Sequence, residues 1–229
     1  REALQMDPQQ RHLLETAFKA FIDAGFTRNS LMRCAGGSFV GQDKCDWNRM
    51  LTAAHAGPFA ATGGSASISS NRISYALGLR GPSCTMDTAC SSSLVAADTA
   101  AMSLRRGRCT LAAVSGVNML LLPQTFIACC QAHMLSVSGH CRTFDTSASG
   151  YARRKGCGSQ IIEPFTDRVS LVSLGGSALN QDGRSANLTS PNGPAQQGVV
   201  LAALLEAGVL PQDLGFLEAH GTGTQLGDP

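Results

Sequence analysis

Two short segments of the sequence carry side chains that could do covalent chemistry. The first runs from Asp87 to Ser93 (DTACSSS), where a cysteine stands between a short apolar stretch and a run of small residues with helical spacing. A thiol at the N-terminus of a helix lies near unpaired N–H groups and the positive end of the helix dipole, which favour the reactive thiolate. Cys90 is therefore a candidate nucleophile on a strand–turn–helix elbow.

The second segment runs from Glu218 to Thr224 (EAHGTGT) and follows an apolar stretch that we predict to be a strand. A histidine at that point would lie at the carboxyl edge of an α/β sheet, where active sites usually gather. The glycines permit a close approach of the backbone, and the hydroxyls of Thr222 and Thr224 could bind a ligand that carries amides. The glycine spacing misses both the phosphate-loop and the dinucleotide patterns. His220 is therefore a candidate catalytic residue.

Composition alone leaves simpler interpretations of these residues open. The chain has nine cysteines and five histidines, so many chance pairs exist, and a buried structural cysteine is the simplest alternative for Cys90. The odd number and irregular spacing of the cysteines favour reduced, mostly buried thiols over a disulfide framework. Cys129, Cys130 and His133 share one predicted helix, but no second pair has zinc-ligand spacing, and we predict no metal site.

The bulk composition indicates a globular protein. Of 229 residues, 43% are hydrophobic and 15% are charged, and the net charge is +2. These values disfavour a disordered chain and give no support for binding to nucleic acid. No apolar run is long enough for a membrane span, and there is no signal peptide. We expect an intracellular, cytoplasmic protein.

The elements that must position the two segments alternate between helix and strand. The predicted helices are a first one that starts at Asp7-Pro8 and stops at Gly25, then Ile68 to Leu77, Ser91 to Arg106, Phe126 to Leu135, and Ala195 to Ala207. The predicted strands are Ala35 to Gly41, Cys84 to Asp87, Leu111 to Val117, Gly158 to Glu163, Val169 to Leu179, and Leu214 to Ala219. This alternation predicts an α/β fold with mostly parallel sheets.

Long matching stretches give the sequence a family resemblance. It resembles the ketosynthases of type I polyketide synthases, members of the thiolase superfamily, along nearly its whole length. The stretches are Met6 to Arg11 (MDPQQR), Asn71 to Ser83 (NRISYALGLRGPS), Met86 to Ala96 (MDTACSSSLVA), Gly116 to Asn118 (GVN), Cys141 to Asp145 (CRTFD), Ala178 to Gln197 (ALNQDGRSANLTSPNGPAQQ) and Glu218 to Pro229 (EAHGTGTQLGDP).

The resemblance implies a thiolase-like α/β fold with five α-β-α-β-α layers, here truncated at both ends. Residues from about 1 to 160 would form the N-terminal half without its first strand, and those from about 161 to 229 the start of the C-terminal half. We therefore expect an internal piece of the domain that is catalytically incompetent alone. Because the family is dimeric, we expect a homodimer in the intact protein.

The resemblance also implies roles for the candidate residues. Cys90 would take an acyl group from the phosphopantetheine of an acyl carrier protein, and its N–H would form half of the oxyanion hole. His220 would stabilise the decarboxylation of a malonyl-type extender, whose enolate then attacks the Cys90 thioester. Thr222 and Thr224 match positions that hydrogen-bond the pantetheine arm. No metal or redox cofactor is expected, since the pantetheine belongs to the carrier.

Three other functions stay open at this point. A non-elongating domain would only hold or transfer the acyl chain, a loading domain would usually replace Cys90 with glutamine, and a fatty-acid β-ketoacyl synthase would share the chemistry. The stretch from Ala178 to Gln197 favours the polyketide type. Arg154 and Lys155 stand where the family has a Gly-Glu pair, which leaves room for a degenerate copy.

Overall fold

The computed structural model describes residues 1–50, 57–165, 170–224 and 227–228. The chain divides into two compact units. The first comprises Arg1–Leu122 and Arg154–Arg168, and the second comprises Pro123–Arg153 and Val169–Pro229. The Cys90 segment thus belongs to the first unit, and the His220 segment belongs to the second.

A four-stranded sheet forms the centre of the first unit within the described residues. Its strands are β1 (Gly36–Gln42), β2 (Ser83–Met86), β3 (Leu111–Asn118) and β4 (Gly156–Ile162), in the spatial order β2-β1-β3-β4. Strand β1 pairs in parallel with β2 and with β3, whereas β3 and β4 are antiparallel. The parallel pairings confirm the predicted α/β arrangement and bring the carboxyl ends of β1, β2 and β3 to one edge.

Helices cover both faces of this sheet. The helices of the first unit are α1 (Glu2–Gln5), α2 (Pro8–Asp23), α3 (Arg28–Leu31), α4 (Asp46–Met50), α5 (Ala60–Gly64), α6 (Ala66–Leu77) and α7 (Ser92–Arg105). Helices α2 and α6 pack on one face, and α7 packs on β1 and β3 from the other. Helices α4 and α5 lie in a region that the sequence predicted to be mainly loop.

Helix α2 shows why the predicted helix forms where it does. Asp7 caps its N-terminus, because the carboxylate accepts a hydrogen bond of 2.8 Å from the N–H of Gln9. Leu13, Ala17 and Phe21 follow at helical spacing and are completely buried against the sheet. Each large apolar side chain buried in this way stabilises the fold by about 1.5–3 kcal/mol. The predicted start of this helix is confirmed.

The pleat of β1 divides the core of the first unit into two layers. Successive side chains point to opposite faces of a strand, so Val40 joins the cluster beneath α2 and α6, whereas Phe39 joins the cluster beneath α7. The α7 layer contains the small side chains of Ala96 and Ala100. These alanines let α7 lie close to the sheet, which matters for the residues at its N-terminus.

The second unit contains helices α8 (Gln124–Gln131) and α9 (Gly193–Ala207) and a short 3₁₀ turn, Pro211–Asp213. The start and end of α9 agree with the prediction. Helix α8 ends before the predicted Leu135, because Ala132 caps it and His133 adopts a left-handed backbone conformation with φ of 53°.

Two predicted strands of the second unit are wrong. Residues 170–179 and 214–219 are described without strand pairing, and Val169 lies outside the described residues. A strand needs a neighbour that satisfies its backbone N–H and C=O groups, and an apolar pattern alone cannot supply one. The apolar side chains here are instead exposed, with relative exposures of 102% for Leu171 and 83% for Phe216.

None of the helices in the described ranges combines the length and the apolar character that a membrane crossing requires.

Candidate active site

The Cys90 segment forms a tight turn between β2 and α7. Strand β2 ends at Met86, a 3₁₀ turn covers Ala89–Ser91, and α7 begins at Ser92, one residue after the predicted start. Cys90 lies in the middle of that turn, and its side chain is exposed. The predicted strand–turn–helix elbow is therefore present, with the thiol just before the first residue of the helix.

Hydrogen bonds hold the elbow in a strained conformation. Ala89 has a left-handed φ of 55°, which costs a residue with a side chain about 1–2 kcal/mol. The N–H of Ala89 donates to the carboxylate of Asp87 at 3.0 Å. The hydroxyl of Ser92 donates to the carbonyl of Ala89 at 2.7 Å and accepts from the N–H of Thr88 at 2.8 Å. Ser92 thus bridges the two sides of Cys90 and acts in the turn, as predicted for these serines.

The other cysteines differ from Cys90 in their exposure. All nine lie in described residues and carry free thiols, as predicted. Only Cys109 is fully buried, and Cys90 and Cys130 are exposed; the remaining six are half-buried, so the prediction of mostly buried thiols is wrong. Cys130 lies on α8 of the second unit, outside any turn of the kind that holds Cys90.

Cys45 shows what burial and a carboxylate do to a thiol in this protein. Its Sγ donates to Oδ2 of the buried Asp7 at 3.0 Å. Burial, reinforced by the hydrogen bond to Asp7, raises the pKa of Cys45 to about 12. Burial also raises the pKa values of Cys84 and Cys157. These thiols stay protonated near neutral pH and are poor nucleophiles.

The loop that carries His220 is held by the chain around it. His220 itself is exposed. The Thr143 hydroxyl donates to the Gly221 carbonyl at 2.6 Å, and the N–H of Gly150 donates to the Gly223 carbonyl at 2.9 Å. Gly223 has a φ of 72°, and a Cβ there would overlap the carbonyl oxygen of Cys141. The predicted close backbone approach is present, and it is an approach to the chain itself.

Thr222 and Thr224 lie together on this loop. Their hydroxyl oxygens are 3.1 Å apart, and both residues are half-buried. The Thr224 hydroxyl also accepts a hydrogen bond of 3.1 Å from the N–H of Gly227. The loop therefore groups three of the predicted site residues, His220 and the two threonines, in the second unit.

Asp228 is a contact of this loop to which the sequence assigned no role. Its carboxylate accepts hydrogen bonds from the N–H of Gly223 at 2.9 Å and from the N–H of Phe144 at 2.9 Å. The bond from Phe144, followed by those from the loop, lowers the pKa of Asp228. Its position shortly after a glycine-rich loop was the available signal, since such a carboxylate can collect the N–H groups of the loop.

The alternative metal site finds no support in the contacts of its residues. The Sγ of Cys129 accepts from the hydroxyl of Tyr151 at 3.6 Å. Within the described residues, no group of three metal-binding side chains lies close together. The side chains of Arg154 and Lys155 are exposed. Asn118 contacts Arg154 through the backbone carbonyl, at 2.8 Å, a contact that any residue at this position could make.

Comparison with protein families decides where these pieces belong. Residues 1–167 match the model of the N-terminal domain of beta-ketoacyl synthases, and residues 171–229 match that of the C-terminal domain. The chain belongs to the β-ketoacyl synthase family. The family resemblance drawn from the motifs is thereby confirmed.

Curated relatives of this β-ketoacyl synthase chain are modular polyketide synthases. One component of the phenolphthiocerol/phthiocerol polyketide synthase of Mycobacterium tuberculosis is 47% identical over 236 residues, which are 100% of this chain and 12% of the relative. The pikromycin polyketide synthase component PikAII of Streptomyces venezuelae is 46% identical over 237 residues, or 100% of this chain and 6% of the relative. The chain thus spans a small part of each of these relatives.

Solved ketosynthase structures share the fold of the chain. The ketosynthase from module 6 of the bacillaene synthase of Bacillus subtilis matches with a TM-score of 0.90 and 34% identity, over 97% of this chain and 39% of that one. An oxazolomycin ketosynthase domain of Streptomyces albus matches with a TM-score of 0.93 and 37% identity, over 100% and 41%. These matches confirm the predicted thiolase-like α/β fold class.

Proposed function

We propose that this chain supplies the acyl-accepting thiol and the first catalytic histidine of a polyketide ketosynthase, which forms a carbon–carbon bond by decarboxylative Claisen condensation. The observation that carries the proposal is the exposed Cys90 in a strained, hydrogen-bonded elbow of a β-ketoacyl synthase family member. Other half-buried thiols, such as Cys45, are held protonated. Cys90 has the accessibility that a nucleophile requires.

The first step is transfer of an acyl group to Cys90. The Cys90 thiolate attacks the carbonyl carbon of an acyl thioester carried on phosphopantetheine, and a tetrahedral oxyanion forms. The N–H of Cys90, at the start of a helical turn where N–H groups lack intrahelical acceptors, stabilises that oxyanion. The carbon–sulfur bond to pantetheine then breaks, and its thiolate takes up a proton. The acyl chain remains on Cys90 as a thioester.

The second step joins this acyl chain to a malonyl-type extender. The bond between the α-carbon and the carboxylate of the extender breaks, carbon dioxide leaves, and the electron pair stays on an enolate. A hydrogen bond from His220 to the enolate oxygen stabilises this charge. The enolate carbon attacks the Cys90 thioester, the Cys90 thiolate leaves, and a β-ketoacyl thioester remains on the carrier.

The threonine pair would bind the pantetheine arm. Two hydroxyls 3.1 Å apart can donate to and accept from the amides of that arm, so the residues present fit this group. The partners proposed are an acyl carrier protein that bears the phosphopantetheine and a second copy of the protein in a homodimer. We also propose an intracellular location and a boundary between the two halves near residue 160.

The experiment uses the intact protein that carries this chain, an acyl-pantetheine thioester and malonyl carrier protein. Formation of a β-ketoacyl product by the wild type, its loss in Cys90→Ala, and its persistence in Cys130→Ala are the expected results. Cys130 is the matched control, because it is the other exposed cysteine. Acylation without extension would favour a domain that only holds or transfers the chain. An unchanged product yield in Cys90→Ala would refute the proposal.

A further inference from the structure

Two glycines lie directly beneath the first turn of α7. Gly41 is near the end of β1, Gly116 is near the end of β3, and the two residues face each other across the parallel β1–β3 pair. Both are on the face of the sheet that carries α7, since they alternate with Val40 and Ser115. They form a flat surface at the carboxyl edge of the sheet, which we name the glycine seat (Gly41 and Gly116).

The helix contacts the glycine seat more closely than any side chain would allow. A Cβ on Gly41 would lie 2.5 Å from the carbonyl carbon of Ser92 and 2.5 Å from the nitrogen of Ser93. A Cβ on Gly116 would lie 2.8 Å from the Cβ of Ser93. Carbon atoms in ordinary contact are about 3.5–4 Å apart. The start of α7 is therefore roughly 1 Å nearer to the sheet than an alanine at either position would permit.

The residues in contact with the seat are linked directly to Cys90. Ser92 and Ser93 are the second and third residues after the nucleophile. The Ser92 hydroxyl reaches back across the turn, donating to the carbonyl of Ala89 at 2.7 Å and accepting from Thr88 at 2.8 Å. Because the hydroxyl joins both sides of the turn, a displacement of Ser92 would move Cys90 with it.

We propose that Gly41 and Gly116 are positioning residues that set the height of Cys90 above the carboxyl edge of the sheet. An alanine at either position raises the first turn of α7 and shifts the sulfur relative to an incoming acyl carbonyl. A misplacement of about 1 Å can cost a reaction about a hundredfold in rate. The consequence for acyl transfer rests on the proposed function, whereas the effect on the position of the thiol does not.

A purely structural role for the glycines predicts a different result, and the chain offers a matched control. Gly158 on β4 faces Gly116 across the β3–β4 pair, and a Cβ at Gly158 would meet nothing within 4 Å. Gly158→Ala therefore makes the same change of residue type in the neighbouring strand without touching α7. Any effect of Gly116→Ala that exceeds that of Gly158→Ala comes from the contact with the helix.

A second variant tests the contact itself. Ser93→Gly removes the Cβ that an alanine at position 116 would meet, so it should relieve the clash in the double variant Gly116→Ala/Ser93→Gly. The Ser93→Gly single variant accounts for the cost of a glycine in the first turn of a helix. The Ser92 hydroxyl, which bridges the elbow, remains in all these proteins.

The experiment compares these variants in the intact protein that carries the chain. The rate of Cys90 alkylation by iodoacetamide is measured by mass spectrometry as a ratio to that of Cys130, beside the rate of Cys90 acylation by an acyl-pantetheine thioester and the midpoint of urea unfolding. We expect Gly116→Ala to change the alkylation ratio at least threefold and to slow acylation about tenfold to a hundredfold. Gly158→Ala should match the wild type, and the double variant should recover both rates to within about threefold of Ser93→Gly alone.

Three results would overturn the proposal: a wild-type ratio in Gly116→Ala, an equal change in Gly158→Ala, or no recovery in the double variant. Should Gly116→Ala fail to fold, the double variant still decides, because its failure to fold as well would mean that the defect does not come from Ser93. A wild type that is alkylated in the expected pattern but never acylated would contradict the proposed function and leave the positioning role intact.

Discussion

The Cys90 elbow and the His220 loop are held in place by different means. The elbow stands on a buried sheet, with Gly41 and Gly116 pressed against the helix that follows Cys90. The His220 loop is held by hydrogen bonds of its backbone, and one carboxylate, Asp228, accepts from both this loop and Phe144. Packing against a sheet involves many contacts, whereas the loop depends on a few hydrogen bonds. The elbow should therefore tolerate the loss of one hydrogen bond better than the loop does.

The largest expected effect separates the chemical roles of the two regions. His220→Ala should lower the rate of chain extension by about 10²–10⁴-fold, because the stabilisation of the enolate is lost. Acylation of Cys90, which does not use the enolate, should stay within about threefold of the wild type. The measurement is product formation beside adduct formation on Cys90. His140→Ala, another exposed histidine of the second unit, is the control, and an equal loss of acylation in His220→Ala would contradict the division of roles.

The two regions should also differ in how they respond to the loss of an apolar side chain. Leu13 is completely buried, so Leu13→Ala should lower the free energy of unfolding by about 2–5 kcal/mol. Leu205 on α9 has a relative exposure of 84%, and Leu205→Ala should change it by less than about 0.5 kcal/mol. Urea unfolding of both variants measures the difference. A comparable destabilisation by Leu205→Ala would mean that this face of α9 is covered in solution.

The same contrast explains what could be predicted from the sequence. Helix α2 and strands β1 and β3 bury one clear face each, so the spacing of Leu13, Phe21 and Val40 was enough to find them. The strands predicted around Leu171 and Phe216 are absent from the described residues because strand formation depends on a partner that an apolar run does not specify. The Cys90 turn was found from its small residues and its place before a helix. The role of Asp228 depends on a distant contact with Phe144 and could not be found from spacing.

A smaller effect tests the dependence of each region on a single acceptor. Asp228→Asn should slow chain extension by about tenfold, since the lost carboxylate weakens charge-assisted bonds to the His220 loop. Asp87→Asn, which weakens only the bond to the Ala89 N–H, should slow acylation by less than about threefold. Steady-state rates of both steps in the two variants give the comparison. A larger loss for Asp87→Asn would show that the elbow depends on this hydrogen bond more than on packing.

The lowered pKa of Asp228 adds a pH dependence to the same loop. A carboxylate whose pKa is lower in the folded protein stabilises the fold above its ordinary value of 3.8, and that contribution is lost as the pH falls through the lowered value. Acid unfolding below pH 3.8 should therefore begin at the His220 loop in the wild type. Asp228→Asn should remove this part of the pH dependence, as measured by hydrogen exchange at residues 221–224.

The smallest effect concerns Cys45 in the first unit. Its pKa is raised from 9.0 to about 12, so the protonated thiol is favoured by folding. The stabilisation is complete below about pH 9 and is lost as the pH rises from about 9 towards 12. Cys45→Ser keeps a donor for Asp7 but cannot ionise in this range, and its thermal unfolding midpoint should fall less than that of the wild type between about pH 9 and 11. Parallel curves would contradict the assignment of this raised pKa to Cys45.

The most direct test of the account is to locate the acyl group. The intact protein that carries this chain is incubated with an acyl-pantetheine thioester, digested without reducing agent, and its cysteine-containing peptides are examined by mass spectrometry. We predict one acyl adduct, on Cys90, and none on Cys130 or on Cys45. An adduct on Cys130 at a rate equal to that on Cys90 would mean that exposure alone determines acylation. An absence of adduct on Cys90 would contradict its role as the nucleophile.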